Sequence, residues 1–284
     1  MVGRDLIAAS QVRAQISQIE KIQTGVNIFK VKYNSLPGDI PNEVALQFGF
    51  DARSSSAVQI NGNGILETGT INDTTPTLRG ELLLFWHDLS NAKLIEGNYT
   101  SGNYAAVPAT AVSGSSLERY IPSAKMGKNN YISVWSGGWK MPCSGQSDGI
   151  NYFQLAVQWY SPLSAYLNQD VSITASEAYA IDKKIDDGLP QFGKILALMP
   201  NIGMTQGWAA SGTSDPAWGQ LNSGIFSSTS YCAPVSTSSG DTSAASASDT
   251  TCYDNNNVAG AVAKYSITWK NGRMPNCALA FKFQ

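Results

Sequence analysis

Charge is scarce in this chain of 284 residues: 19 Lys+Arg against 21 Asp+Glu give 14% charged residues and a formal net charge of −2. Proteins that neutralise phosphates concentrate lysine and arginine in a patch or stripe. This chain has none, which argues against nucleic acid and against anionic lipid surfaces as partners. No stretch of about 20 apolar residues occurs, so the chain as given contains no membrane span. There is one histidine, His87 in Trp86-His87-Asp88, and no Cys-x-x-Cys pair, which leaves a zinc site without its ligands. On a helix His87 and Asp88 point in different directions, so a Ser/His/Asp triad does not assemble from local sequence. Enzymatic activity and catalytic residues are not expected.

What is abundant is Ser, Thr, Asn, Gly, Trp and Tyr, a composition suited to an exported β-rich protein. The four cysteines, Cys143, Cys232, Cys252 and Cys277, form an even set. In an exported context that points to two disulfides, with three connectivities open. Cys252–Cys277 together with Cys143–Cys232 is favoured because the first pair would clasp the C-terminal strands. Free buried thiols are the alternative.

The strongest local signal is at the N-terminus. Val12, Ile16, Ile19, Ile22, Val26, Phe29 and Tyr33 recur in steps of three and four and paint one stripe along a helix. Gln11, Gln15, Gln18, Lys21 and Lys30 take the other faces. The helix should stop at Asn34-Ser35 and the following Leu36-Pro37-Gly38-Asp39. About 30 residues at about 1.5 Å each make a rod of roughly 45 Å, so residues 1–34 are read as a spine and 35–284 as a globular head. Leu6 and Ile7 are already in helical register behind Met1-Val2-Gly3. The expectation is a cut through a longer helix, with a hydrophobic segment encoded upstream.

Further along, Asp39 is placed to cap a short helix begun by Pro41. Leu82, Phe85, Trp86 and Leu89 mark a helix over Leu78–Leu94 with Thr77 as its cap. Strands are expected at Tyr131–Trp139 and Ile150–Trp159. In the latter, Tyr152, Gln154, Ala156 and Gln158 alternate with Phe153, Leu155, Val157 and Trp159, predicting one polar and one apolar face. Thr174-Ala175-Ser176-Glu177 is a capping box opening a helix that ends near Gly188. Residues 211–251 are of low complexity and expected to be mobile. Val262–Trp269 and Ala278–Phe283 flank Asn271-Gly272 and are expected to pair as antiparallel strands. The fold class is therefore α+β: a long N-terminal helix packed on an antiparallel sheet, with extra helices and disulfide-held loops.

The chain resembles the type IV pilin and type II secretion pseudopilin superfamily. The resemblance is carried by QVRAQISQIEKIQTGVNIFKVKYNSLPGDIP at 11–41, NGNGILE at 61–67, ELLLFWHDLSNAKLIEGNY at 81–99, AYAIDKKIDDGLPQFGK at 178–194 and CALAFKF at 277–283. It implies a pilin-like fold and a structural role as a pilin or pseudopilin, of major or minor rank. It also implies a leader removed by prepilin peptidase, and a hydrophobic helical half that anchors the subunit in the inner membrane and later packs in the filament core. Other pilin or pseudopilin subunits would be the partners. The setting would be the periplasmic face of the inner membrane or an extracellular filament. The polar face of the helix, including Arg13, Gln18 and Lys21, would then carry subunit contacts. The alternative is a surface adhesin or pilus-tip module that binds a glycan or host protein.

Two ligand sites are conceivable. Asn61, Asn63 and Glu67 in NGNGILE offer oxygens at alternating positions, as a calcium loop does, although related pilins often carry an aspartate there and Ile65 stands where another donor would help. A metal-free Asn-Gly turn is the simpler alternative. Trp208 and Trp218 lie in a Gly/Ser-rich region and are the aromatic candidates for sugar stacking. Asp182, Asp186 and Asp187 are read as a solvated acidic face.

Overall fold

The apolar stripe at the start of the chain becomes one helix, α1 (Val2–Tyr33), and all seven stripe residues from Val12 to Tyr33 are buried. The computed structural model describes residues 2–53, 60–68, 77–100, 108–136, 150–163, 166–200, 206–208, 246–248, 251–258 and 261–284. Lys30 and Lys32 sit in the last turn of α1, where positive charge opposes the helix dipole. The helix closes on Asn34, whose amide donates to Lys30 O at 2.9 Å and whose φ of 52° turns the chain aside. Leu36 to Ile40 then run inward, every one of them buried. The stop is thus a structural element of the core, where a surface turn would have been solvated.

Beyond the stop lies α2 (Asn42–Gln47), capped at Pro41 without a side-chain bond. Asp39 does not cap it, contrary to expectation. Helix α3 (Gly80–Asn91) is shorter than the span of its apolar pattern, and Arg79 stands at its N-cap position instead of Thr77. Helix α4 (Ala175–Ile185) opens on the expected capping box, with Thr174 Oγ1 accepting from Glu177 N and Glu177 Oε2 accepting from Thr174 N.

Nine strands are described: β1 (Asn130–Ser136), β2 (Asn151–Ser161), β3 (Tyr166–Asp170), β4 (Ile173–Thr174), β5 (Ile195–Pro200), β6 (Gln206–Trp208), β7 (Tyr253–Asp254), β8 (Lys264–Tyr265) and β9 (Pro275–Lys282). The main sheet runs β1-β2-β9-β5-β6, with β3 beside β2 and β4 beside β9. Its pairings are antiparallel, for example Phe153 opposite Phe281 and Leu155 opposite Leu279. The C-terminal strand β9 therefore occupies the middle of the sheet between β2 and β5.

The core lies between this sheet and the helices. It joins Ile19, Val26 and Phe29 of α1, Leu82, Phe85 and Leu89 of α3, Ala178 and Ile181 of α4, and Phe153, Leu155 and Leu279 of the sheet. Burying each large apolar side chain contributes about 1.5–3 kcal/mol, so this interface is what holds the long helix to the head. The opposite side of β2 is not solvated as the alternation suggested. Tyr152, Gln154, Ala156 and Gln158 are all buried. Trp135, Tyr152, Ala156, Leu196, Ala278 and Ala280 make a second apolar cluster there, and Gln154 pairs with Gln169, whose Nε2 lies 3.0 Å from Gln154 Oε1.

The expected C-terminal hairpin is also different. Only Lys264–Tyr265 of the Val262–Trp269 stretch is strand, and it pairs with Tyr253–Asp254 in a separate two-stranded sheet. Trp269–Gly272 forms a tight turn with Lys270 and Asn271 at positive φ. Cys252 is joined to Cys277 by the disulfide among the described residues, tying β7 to the central strand β9. Cys143 and Cys232 lie outside the described residues, as do residues 209–245.

Candidate functional site

The inward course of the Leu36-Pro37-Gly38-Asp39 stop delivers a carboxylate to the protein interior. Gly38 makes this path feasible: its φ is 85°, and a Cβ there would lie 2.3 Å from Glu81 O. Only glycine allows the turn to press so closely on the first turn of α3. Asp39, 0% exposed, then enters the Asn61–Gly64 loop. Its Oδ1 accepts from Gly62 N and its Oδ2 from Gly64 N, each at 2.7 Å. The loop amides therefore face an anion, and the loop is a cradle for this chain's own carboxylate.

The asparagines of the calcium candidate brace that cradle. Asn61 Oδ1 accepts from Asn63 N at 2.9 Å, and Asn63 Oδ1 accepts from Ile65 N at 2.7 Å. These are the self-bonds of an Asx turn, and they brace the loop backbone. Asn63 Nδ2 donates to Glu67 Oε2 at 3.2 Å. Glu67 is itself fully buried. The structure brings Asn61, Asn63 and Glu67 together, but around Asp39, which the calcium pattern did not include.

Glu81 completes the group. It lies at the start of α3 with 0% exposure, its Oε2 accepts from Glu67 N at 2.7 Å, and its carboxyl is in hydrogen-bonding contact with that of Asp39. Glu81 Oε1 has no donor. Burial pushes the Glu81 carboxyl well above its ordinary range, and the neighbouring Asp39 adds to the shift. Asp39 is raised by burial and pulled back by the amides of Gly64 and Gly62. Two carboxylates in contact, with neither making an ion pair among the described residues, cannot both stay charged and uncompensated.

A second charged pair lies about two helical turns further along α3. Asp88 accepts from both Arg53 nitrogens and from Gly38 N, the latter at 2.7 Å. The turn after α1 is thus held to α3 from both sides, by Asp39 contacting Glu81 and by Asp88 receiving Gly38. These roles of Asp39, Arg53, Glu81 and Asp88 were not read from the sequence. A usable signal existed: in a chain so poor in charge, Glu81 precedes Leu82-Leu83-Leu84-Phe85 and Asp39 precedes Ile40, acidic residues set against apolar runs that have to be buried.

The helix-face candidates separate. Arg13 and Lys21 are exposed on α1. Gln18 is engaged within the chain, its Nε2 donating to Ser123 O and its Oε1 accepting from Lys125 N, both at 2.9 Å. It flanks the apolar stripe closely enough to anchor the segment before β1. Gln15, also placed on an outer face, is fully buried, and its Oε1 accepts from Met126 N at 3.2 Å. Between α1 and α4 runs a groove of about 640 Å³ lined by Ala8, Ala9, Val12, Arg13, Ala180 and Lys184, among others.

His87 bridges two parts of the head. Its Nδ1 lies 2.8 Å from Tyr99 O and its Nε2 3.0 Å from Asp51 Oδ2. Nearby Ser90 Oγ donates to the His87 backbone carbonyl, not to the ring, so no nucleophile and base pair is formed there. Trp208 ends the edge strand β6 opposite Leu198, and Trp218 lies outside the described residues. Asp182, Asp186 and Asp187 do converge, with one oxygen of each within 4.8 Å of the others. Asp182, however, is buried, with Tyr265 Oη donating to its Oδ2 at 2.8 Å and Gly188 N to its Oδ1 at 3.0 Å. Burial pushes its carboxyl up to about 7. It is a link between α4 and the disulfide-bound hairpin, and the reading of all three residues as a solvated face is corrected. Lys183 Nζ meets Tyr179 Oη at 2.9 Å, and Asp187 Oδ1 accepts from Leu189 N at 2.7 Å.

Compared with known proteins, no family model matches the chain, no curated protein matches it, and no solved structure matches it.

Proposed function

We propose that the chain is a structural subunit of a filament of the type IV pilus or type II secretion pseudopilus kind, assembling through α1. The observation that supports this most is the division of labour around that helix. One stripe is buried against the head, while Leu6, Ile7, Ile28 and Val31 are 66%, 61%, 47% and 87% exposed. At about 3.6 residues per turn, Leu6, Arg13, Thr24, Ile28 and Val31 fall on one stripe roughly opposite the buried one. Large apolar side chains interleaved with polar ones on an outward helical stripe suit a contact with another helix better than contact with water. The buried turn after Tyr33, bolted to α3 through Gly38 and Asp39, would set the head rigidly on that helix.

The test uses the full gene, with whatever precedes residue 1. A leader ending in glycine followed by a hydrophobic helical segment is expected upstream. Val31→Glu and the double change Arg13→Glu with Lys21→Glu should leave the head folded by circular dichroism, yet reduce piliation or secretion at least tenfold. Assembly at the wild-type level by both variants would remove the outward stripe as a subunit contact and the filament role with it.

A further inference from the structure

We propose that the groove between α1 and α4 receives the α2 corner of a second copy of this chain, with Leu46 and Phe48 over its floor and Glu43 facing Arg13 and Lys184. The contact rests on the filament role proposed above for the parallel alignment of copies. The floor is apolar and made largely of small side chains, Ala8, Ala9 and Val12 from α1 and Ala180 from α4, so an incoming group can come close to both helices. Arg13 and Lys184 also line the groove, are exposed, and make no ion pair among the described residues. Of the acids that line it, Glu20 lies two turns beyond Arg13, about 10 Å along α1, and Glu177 is taken by Lys128 at 2.7 Å. The groove is therefore basic around an apolar floor.

A fitting partner has to bring exposed apolar side chains together with an unpaired carboxylate. Among the described residues α2 supplies both. Leu46 and Phe48 are 53% and 47% exposed. Glu43 stands three residues before Leu46 on the same face of α2, is exposed, and makes no hydrogen bond or ion pair among the described residues. Other exposed apolar pairs lack that combination. Leu6 and Ile7 adjoin Asp5, which meets Arg273 at 3.8 Å. Ile28 and Val31 flank Lys30, and Val262 and Ile267 flank Lys264, so each brings a cation to a groove that is already basic.

Position along α1 makes the occupant a second copy. Helix α2 packs on the C-terminal end of α1, where the Phe48 ring lies 5.0 Å from that of Tyr33, whereas the groove lies beside Arg13. From Arg13 to Tyr33 the helix rises roughly 30 Å at about 1.5 Å per residue, so one chain cannot close the contact on itself. Two different patches make a heterologous contact. Repeated between parallel copies it is open-ended, each copy stepped roughly 30 Å along α1 from the last.

The experiment is sedimentation velocity of the chain over a concentration series, at low and high salt. Open-ended association that weakens with salt is expected of the wild type. Ala180→Trp, which fills the groove, and Leu46→Glu, which spoils the corner, should each weaken association at least tenfold. Mixed in equal amounts they should stop at dimers, because one groove and one corner remain usable. Arg13→Glu and Glu43→Arg should each weaken association as well, and their mixture should recover it to within about threefold of the wild type, since opposite charges then meet at every contact. Phe48→p-benzoylphenylalanine should photo-cross-link to residues 8–20 or 176–184 of another copy. A wild type that stays monomeric up to its solubility limit and gives no such cross-link overturns the contact. So does an Ala180→Trp and Leu46→Glu mixture that grows beyond dimers, or a mixture of the two charge reversals that stays monomeric. Should Ala180→Trp or Leu46→Glu fail to fold by circular dichroism, the charge-reversal mixture decides. In the full gene, assembly lost in Val31→Glu but normal in Ala180→Trp and Glu43→Arg keeps the filament role and removes this contact. A full gene that yields no filament, with recovery by the mixed reversals intact, keeps the contact and removes the filament role.

Discussion

Arg53 and Asp88 face each other through two parallel bonds, Nη2 to Oδ1 at 2.6 Å and Nη1 to Oδ2 at 3.0 Å, with side chains 1% and 0% exposed. Burial raises the Asp88 carboxyl and the guanidinium beside it draws it back. Because Asp88 also receives Gly38 N, the pair links the turn after α1 to the last turn of α3. Arg53→Met should destabilise the chain by about 3–5 kcal/mol, since it strands a buried carboxylate. Urea denaturation of the variant measures this. Asp88→Leu added to Arg53→Met should recover a large part of the loss; no recovery would mean that Arg53 acts through packing instead.

The buried stripe of α1 should be intolerant of charge. Ile19→Lys or Val26→Lys places an ammonium against the core with no partner, and loss of the folded state by circular dichroism is expected. Phe29→Ala, which empties a site between Tyr33 and Phe50, should cost about 3–5 kcal/mol and leave a folded chain. A change below about 1 kcal/mol would show that α1 is only loosely attached to the head.

At Gly38 the backbone itself is under test. With φ at 85° and Glu81 O at 2.3 Å from where a Cβ would sit, Gly38→Ala must displace the turn or the start of α3. The variant should melt far below the wild type. A melting temperature within a few degrees of it would mean that the approach of turn to helix is softer than the geometry implies.

Acid should stabilise the link between α4 and the C-terminal hairpin. The Asp182 carboxyl is pushed up to about 7 by burial, whereas an aspartate in the unfolded chain titrates near about 3.9. The folded state therefore binds more protons between these values. Stability from this group is full below the unfolded value and is lost as pH rises through the folded one. Glu81, Asp39 and Asp88 are raised as well and act in the same direction. Melting temperature should fall from pH 5 to pH 8 in the wild type, and Asp182→Asn should flatten part of that slope. An unchanged slope in the variant would assign the whole effect to the other three groups.

Reduction should loosen the C-terminal hairpin. Cys252–Cys277 closes a loop with a sequence separation of 25, for which chain-entropy arguments give roughly 3 kcal/mol. Non-reducing peptide mapping should yield the Cys252–Cys277 peptide, and a reducing agent should lower the urea midpoint. A mapped Cys232–Cys252 peptide would contradict the pairing.

Local periodicity by itself determined α1. A stripe at Val12, Ile16, Ile19, Ile22, Val26, Phe29 and Tyr33 admits one buried face, and a terminator followed by Pro37 ends it. The Thr174–Glu177 capping box marked α4 for the same reason, since its bonds span only three residues. Tertiary structure alone decided where polar groups went. Asp39 looked like a helix cap because capping is the nearest local use for an aspartate before Pro41. Its partners are Gly62 and Gly64 on a separate loop and Glu81 on another helix, which no local pattern relates. In the same way the polar alternation of β2 suggested a solvated face, but Gln154 finds Gln169 across the sheet and is buried with it. Val262–Trp269 carried strand-like residues, yet β9 already had β2 and β5 on its two edges and left that segment no place beside it. Side-chain periodicity reports which face turns inward, whereas the partners of buried polar groups are set by distant segments that meet only in the fold.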